Sequence, residues 1–486
     1  MTVAATSESA AGWRPVRQAD ATLVAQLADD VARRIDDQGL RPGTRLPSIR
    51  KMAEQAGVSR FTVVEAYDRL VARGLVQSRR GAGFFVRARR GPLAAAARSV
   101  PAGNESVAVP ARIDVAWLLR SMFREPEASA MPGGAGLLPA DWLDPGMVSA
   151  AVRAVGRSVR GNLVAYGSPL GYGPLRQQLA SRLQADGVPA HPDHNLLTTN
   201  GVTHGLDLVA RHLVRAGDAV LVEDPAWFVI FGRLAAFGAR LIGVPRGPDG
   251  PDLEQLDRLA ALHKPRLFII NSAVHNPTGH TLSAGSAYDI LRLAERHDFL
   301  IIEDDTYGEL HPGGAMKLAS LDRLNRVILA GGFSKMLAAS LRVGYLAANA
   351  ELLQKLADLK MLAGLTTPEL GERVVHRVLV EGQYRRHVDR VRTRVNTARQ
   401  QCLAALTGLG LVVPHEPHAG MFVWADCGRD AEGLARTAVD RGLLLAPGSL
   451  FSPSQAPSTM MRFSVAMVDT PGIWQAVAGV LAAPGG

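Results

Sequence analysis

FLIIEDDTYGEL, residues 299–310, opens on four apolar residues and turns abruptly acidic at Glu303, Asp304 and Asp305. Short apolar runs of the same kind stand at AVLVE (219–223), LFIIN (267–271) and RVILAGG (326–332). Helical patterns separate them, so they read as buried strands of a mostly parallel sheet in an α/β domain. In open sheets of this type, ligands bind outside the carboxyl ends of the strands. AVLVE leads into DPAW, LFIIN into SAVHNPTG, FLIIE into DDTY, and RVILAGG into FSK. Those four ends deliver Trp227, Asn276, Asp304 with Tyr307, and Ser334 with Lys335 to one crevice.

That set suits a pyridine cofactor bearing an aldehyde and a phosphate. A lysine forms a Schiff base with an aldehyde, the role open to Lys335. A carboxylate such as Asp304 keeps a pyridine nitrogen protonated and strengthens the ring as an electron sink. Asn276 and Tyr307 can hydrogen-bond the ring oxygen, and the Trp227 indole can stack on the ring face. Helix-terminal N–H groups after NGVTHG (200–205), with Ser334 and Arg342, suit the phosphate. Each residue also has a plain alternative. Lys335 alone is compatible with a surface lysine, Asp304 with a helix cap, and Tyr307 and Trp227 with core aromatics. Arg462, in MRFSV, is compatible with a structural ion pair. Their common placement at strand ends favours the chemical reading.

Charge directs attention to the other end of the chain. Of 54 basic residues only six are lysine, and the net charge is +9. Residues 1–90 carry sixteen basic and nine acidic residues, so most of the surplus lies in that segment and suits a polyanionic partner. Val24, Leu27, Ala28, Val31 and Ile35 recur at helical spacing until Gly39. Ser48 is placed to cap a second helix that Gly57 ends, and Ser59 to cap a third that Gly74 ends. LVQSRRGAGFFV then reads as two short strands around a turn. This is the outline of a winged helix-turn-helix. Ser59, Arg60 and Thr62 would open the recognition helix and face bases and phosphate; Arg45, Ser48 and Arg50 would flank it. The turn with Arg79, Arg80 and Gly81 would enter the minor groove. A three-helix protein-interaction domain with a solvated basic face is the alternative from pattern alone.

The stretch from Gly43 to Val86, GTRLPSIRKMAEQAGVSRFTVVEAYDRLVARGLVQSRRGAGFFV, resembles the DNA-binding domain of the GntR family over its whole length. The resemblance implies DNA contacts from Arg50, Arg60, Thr62 and the wing at Gly81. Farther on, YGSPLGYGPLR, TTNGVTHGLDL, EDPAW, HNPTG, EDDTYGEL, FSKMLAASLRVGY and MRFSVA resemble the fold-type I, class I/II aminotransferases that use pyridoxal 5′-phosphate. This second resemblance implies Lys335 as the Schiff-base lysine and Asp304 as the partner of the pyridine nitrogen. It implies Tyr307 and Asn276 at the ring oxygen and Trp227 over the ring. Val202, Thr203, Ser334 and Arg342 would bind the phosphate, with Tyr166 reaching that of a neighbouring subunit. Arg462 would take a substrate or effector carboxylate.

Together the halves are similar to the MocR subfamily of GntR regulators. That implies a winged helix-turn-helix (18–88), a linker (89–135) and an aminotransferase-like domain (136–482) whose smaller α+β subdomain spans roughly 365–482. It further implies a homodimer that binds double-stranded promoter DNA and senses pyridoxal phosphate with an amino acid or related amine. Regulators of this type often carry an aromatic in place of Asn276 and Tyr in place of Trp227. The form present here is closer to a working aminotransferase, which leaves catalysis open.

Composition excludes other classes. At 486 residues, with 47% hydrophobic and 20% charged, the chain fits a globular protein of two or three domains. No apolar run approaches a membrane span, and MTVAATSESAAGW lacks the features of a secretory signal, so a cytoplasmic location is expected. Cys402 and Cys427 have no metal-type spacing and read as reduced thiols; no metal is expected. Within the Ala-, Arg- and Pro-rich linker, IDVAWLLRSMF (113–123) is amphipathic and reads as a short docking helix.

Overall fold

The computed structural model describes residues 22–36, 44–73, 75–79, 83–86, 131, 133–158 and 164–483. The first group forms a three-helix unit with a two-stranded wing. Helix α1 spans Leu23–Asp36, α2 Ile49–Ala56 and α3 Arg60–Ala72; strands β1 (Val76–Arg79) and β2 (Gly83–Val86) follow. The boundaries have local causes. Ser48 Oγ accepts from Lys51 N–H and starts α2, while Gly57 ends it in the left-handed conformation. Ser59 Oγ accepts from Thr62 N–H at 3.0 Å and starts α3. The apolar stripes meet in one core containing Leu27, Val31, Met52, Val63, Ala66, Tyr67 and Leu70. Tyr67 sends its hydroxyl to Pro47 O at 2.9 Å, which ties the recognition helix to the turn before α2.

β1 and β2 pair antiparallel, and Arg45 adds a bridge to Phe85. Gly39, Gly74, Arg80, Gly81 and the 113–123 segment lie outside the described residues.

The larger unit is built on an eight-stranded sheet. Its strands are β3 (Leu196–Thr199), β4 (Ala219–Asp224), β5 (Arg240–Gly247), β6 (Gly250–Pro251), β7 (Leu267–Ile270), β8 (Leu300–Asp304), β9 (Val327–Gly332) and β10 (Gly344–Ala347). They lie in the order β3-β10-β9-β8-β7-β4-β5-β6. The four apolar runs are β4, β7, β8 and β9, and with β5 they form the parallel centre. Their buried patterns follow from helices covering both faces, which leaves no strand position for a solvated side chain. β10 runs antiparallel between β3 and β9, a return that the alternation of patterns did not disclose.

A second, three-stranded sheet follows, β11 (Phe422–Asp426), β12 (Ala446–Pro447) and β13 (Met460–Ser464), in the order β11-β13-β12. It receives one early piece of chain. Met131 pairs in parallel with Leu443, and Gly134 N–H donates to Leu444 O at 2.7 Å. A side chain at Gly134 would stand 2.7 Å from Ala446 N, so only glycine permits this approach. Both cysteines are free thiols. Among the described residues no helix is long and apolar enough to cross a membrane, and no cluster of His, Cys, Asp and Glu could hold a metal.

Candidate functional site

The carboxyl ends of β4, β7, β8 and β9 open into one cavity of about 550 Å³. Val202, Thr203, Trp227, Asn271, Asn276, Asp304, Thr306, Tyr307, Gly332, Ser334, Lys335 and Arg342 line it. Nine of these twelve are residues singled out in the sequence. Arg462 is joined to them through Asn276, whose Oδ1 accepts from Arg462 Nη1 at 2.8 Å. Tyr166 is not among them; it is 81% exposed.

Lys335 lies just past β9, where Phe333 N–H donates to Val343 O and turns the chain back toward β10. Its Nζ donates to Gly136 O at 2.6 Å and sits 5.9 Å from the Tyr307 ring centre. Burial, with Arg462 and Arg342 nearby, lowers its pKa to about 8 against the opposing pull of Asp304. A neutral amine is therefore accessible near neutral pH, as nucleophilic attack on a carbonyl requires.

Asp304 ends β8 and is buried; its Oδ1 accepts from Thr306 N–H at 3.0 Å. Burial raises its pKa to about 6. A carboxylate held this way gains from any cationic ring nitrogen placed against it. The adjacent acids face other surroundings. Glu303 accepts from Ser272 Oγ and from Leu318 and Ala319 N–H, and burial lifts it to about 7. Asp305 pairs with Lys317 at 2.7 Å.

Asn271 pins two strand ends together. Its amide donates to Asp304 O at 2.6 Å, and its Oδ1 accepts from Asn276 N–H at 2.8 Å. Behind it, buried Glu223 accepts from Asn271 N–H at 2.7 Å and pairs with Arg246, holding the HNPTG loop from below. Tyr307 shares a hydrogen bond with Asn276, so the amide and the phenol lie side by side. The Arg462 guanidinium lies 4.2 Å from the Phe422 ring centre and 4.8 Å from that of Phe451. Burial lowers its pKa to about 10, and its Nε is buried with no partner among the described residues. An anion is the partner that such a group lacks.

Elsewhere on the cavity wall the helix Val202–Leu213 begins at Gly201, which has no side chain to cap the first N–H groups. Arg342 reaches the same place, donating to Asn200 O at 3.1 Å and Ser334 Oγ at 3.4 Å. An added Cβ at Gly201 would stand 2.7 Å from the Arg342 guanidinium, so glycine here keeps the cation close. Helix N–H groups, a hydroxyl and a guanidinium form a site for a dianion. A half-buried amine, a buried carboxylate and this anion cradle match the aldehyde, pyridine nitrogen and phosphate of pyridoxal 5′-phosphate.

In the smaller unit, Ser59, Arg60 and Thr62 stand together at the start of α3, with Ser59 and Arg60 exposed. Arg50 is exposed and pairs with Glu54 at 3.1 Å. Arg45 is exposed, with its guanidinium against Gly83. Ser48 is spent on capping α2. Arg79 lies on β1.

A winged helix-turn-helix on one chain with an aminotransferase fold defines a DNA-binding regulator built on an enzyme scaffold. Residues 23–86 match the gntR family of bacterial regulatory proteins, and residues 134–480 match the class I and II aminotransferases. The chain thus belongs to the aminotransferase class I and II family and, through its GntR head, to the MocR subfamily of regulators. The probable rhizopine catabolism regulatory protein MocR of Rhizobium meliloti is 30% identical over 89% of this chain and 87% of its own. A 2-aminoadipate transaminase of Thermus thermophilus is 34% identical over 74% of this chain and 91% of its own. Among solved structures, the α-aminoadipate aminotransferase LysN of Thermus thermophilus, complexed with N-(5′-phosphopyridoxyl)-L-leucine, superposes with a TM-score of 0.68. It shares 27% identity, covering 75% of this chain and 94% of that one.

Sequence reading did not single out Asn271, Thr306 and Gly332, nor the carbonyls of Gly134 and Gly136. Asn271 had a signal, since it is the last residue of LFIIN and the polar end of a buried run. Backbone carbonyls carry none.

Proposed function

We propose that this regulator binds promoter DNA through its winged helix and responds, through the aminotransferase-like domain, to pyridoxal 5′-phosphate and an amino acid or related amine. The observation that carries this reading is Lys335, a half-buried amine that shares one cavity with the buried Asp304 and with an anion cradle of Val202, Thr203, Ser334 and Arg342. When bound, the cofactor supplies an aldehyde that takes up primary amines and a ring that withdraws electrons. Lys335 provides the amine that attaches it. Asp304 holds a proton at the ring nitrogen, Asn276 and Tyr307 orient the ring oxygen, and Trp227 covers the ring face. Val202 and Thr203 N–H, Ser334 and Arg342 hold the phosphate, and Arg462 takes the carboxylate of the incoming amino acid.

In the DNA-binding domain, residues 18–88, Arg60 and Thr62 read base edges. Arg45, Ser48, Arg50, Ser59 and the wing residues Arg79, Arg80 and Gly81 meet the sugar-phosphate backbone and minor groove. The linker is residues 89–135, and the aminotransferase-like domain, residues 136–482, includes a smaller subdomain from about 365. A homodimer is supported by exposed apolar residues that share a region: Val164, Tyr166, Leu362, Leu365 and Leu370. Gly167 backs onto Glu369, which brings the two stretches together. In the pair, Tyr166 reaches the neighbouring subunit's phosphate.

The test is binding to an operator selected from random DNA, measured at fixed salt with and without pyridoxal phosphate and a panel of amino acids. Absence of sequence preference over random DNA defeats the DNA reading. Absence of any effect of the small molecules defeats the sensing reading. A second reading, an active aminotransferase with an attached DNA-binding domain, is favoured by one observation: Asn276 lines the cavity and accepts from Arg462. Turnover of an amino donor with a keto acid, abolished by Lys335→Ala, supports it.

A further inference from the structure

After residues 87–130 the described chain resumes at Met131 and runs on from Gly133 through Gly136. This stretch, from Gly133 to Gly136, is a strap of backbone beside the second sheet. Gly134 N–H donates to Leu444 O, and Ser464 N–H donates to Gly133 O at 2.8 Å. Two cations of the site donate to the same strap. Arg462 Nη2 reaches Gly134 O at 2.6 Å, and Lys335 Nζ reaches Gly136 O at 2.6 Å. Gly136 is buried. We infer that the Gly136 carbonyl is the resting seat of the free Lys335 amine, and that the strap from Gly133 to Gly136 is latched or released according to whether Lys335 is free or covalently engaged. This rests on the reading that the cavity holds pyridoxal 5′-phosphate.

The argument is one of donors. A free lysine amine has two or three N–H groups, enough to serve a carbonyl 2.6 Å away in a short, charge-assisted bond. Condensation of Nζ with the cofactor aldehyde expels the aldehyde oxygen as water and turns Nζ toward the ring. At most one N–H remains, directed at the ring oxygen, and Gly136 O loses its donor. An incoming primary amine that takes the carbon from Nζ breaks one C=N bond, forms another and returns its protons to Nζ. The freed amine then regains Gly136 O. Arg462 holds Gly134 two residues away in either case, so the strap pivots at Gly134 and latches at Gly136. An amine able to displace Lys335 relatches it; a carboxylate without an amine does not.

Hydrogen exchange of the full chain over residues 131–138 tests the latch. Pyridoxal 5′-phosphate engages Lys335, whereas pyridoxamine 5′-phosphate carries the same ring and phosphate but leaves the lysine free. The amides of 133–138 are expected to exchange about tenfold faster with the first than with the second. Lys335→Met, which removes the donor, is expected to exchange fast with both. A lysine that merely supports the fold would give a fast variant but no difference between the two forms in the wild type. If both forms bind by absorbance and the strap exchanges alike, this inference falls alone. If neither form binds, the cofactor reading falls and the latch with it.

Discussion

Arg60 and Lys335 are the cations at the centre of the two proposed sites, yet they stand in different surroundings. Arg60 opens α3 in contact with water, on a small unit whose core lies beneath it. Lys335 is enclosed by two further cations and a carboxylate, and its proton is loosened to about 8. An exposed cation acts through its charge, is screened by salt, and is indifferent to pH in the ordinary range. A buried one acts through its proton, is sheltered from salt, and answers to pH. The proposed DNA site should therefore answer to ionic strength and the proposed cofactor site to acidity.

The sharpest way to break this contrast is Lys335→Ala. Borohydride reduction with pyridoxal phosphate should fix a pyridoxyl group on the wild type and leave the variant's mass unchanged, with operator affinity retained without cofactor. Next comes Arg60→Ala, which should weaken operator binding by about 1–3 kcal/mol, read by titration against the selected site, with cofactor absorbance unaltered. Raising salt from 50 to 200 mM should cost the operator complex at least ~tenfold in affinity while leaving cofactor attachment nearly unchanged. Acidity should show the reverse. The rate of cofactor attachment should rise about tenfold per pH unit up to about 8 and then level, because deprotonation of Lys335 supplies the reactive amine. Operator affinity should be flat over that range. The smallest effect belongs to Tyr67→Phe, which deletes the bond to Pro47 O and should lower the stability of the winged-helix unit by about 1 kcal/mol in thermal unfolding.

How much was legible in the sequence follows from the same division between side chain and backbone. The caps at Ser48 and Ser59 are written in the residues that make them, and α2 and α3 begin one residue later. The strand ends were legible because an apolar run that stops at a polar residue marks both the strand and its mouth; Asp304, Ser334 and Lys335 do line one cavity. The antiparallel return of β10 was not, since GYLA is apolar in either direction. Nor were the bonds from Arg462 to Gly134 and from Lys335 to Gly136, which join residues hundreds of positions apart through carbonyls common to every residue. Asn271 lay between these cases. Its letter was visible, but its task of holding β7 against β8 depends on a strand order that no local pattern encodes.

The scarcity of lysine has a consequence for cargo as reactive as a free aldehyde. Of six lysines, Lys317 and Lys360 are buried and Lys335 is half-buried, while Lys51, Lys264 and Lys355 are exposed. Arginine supplies nearly all the remaining positive charge, and its guanidinium stays protonated where an amine would compete for a carbonyl. Stray adducts on the described surface are thereby confined to Lys51, Lys264 and Lys355, few enough for peptide mapping to separate them from reaction at Lys335.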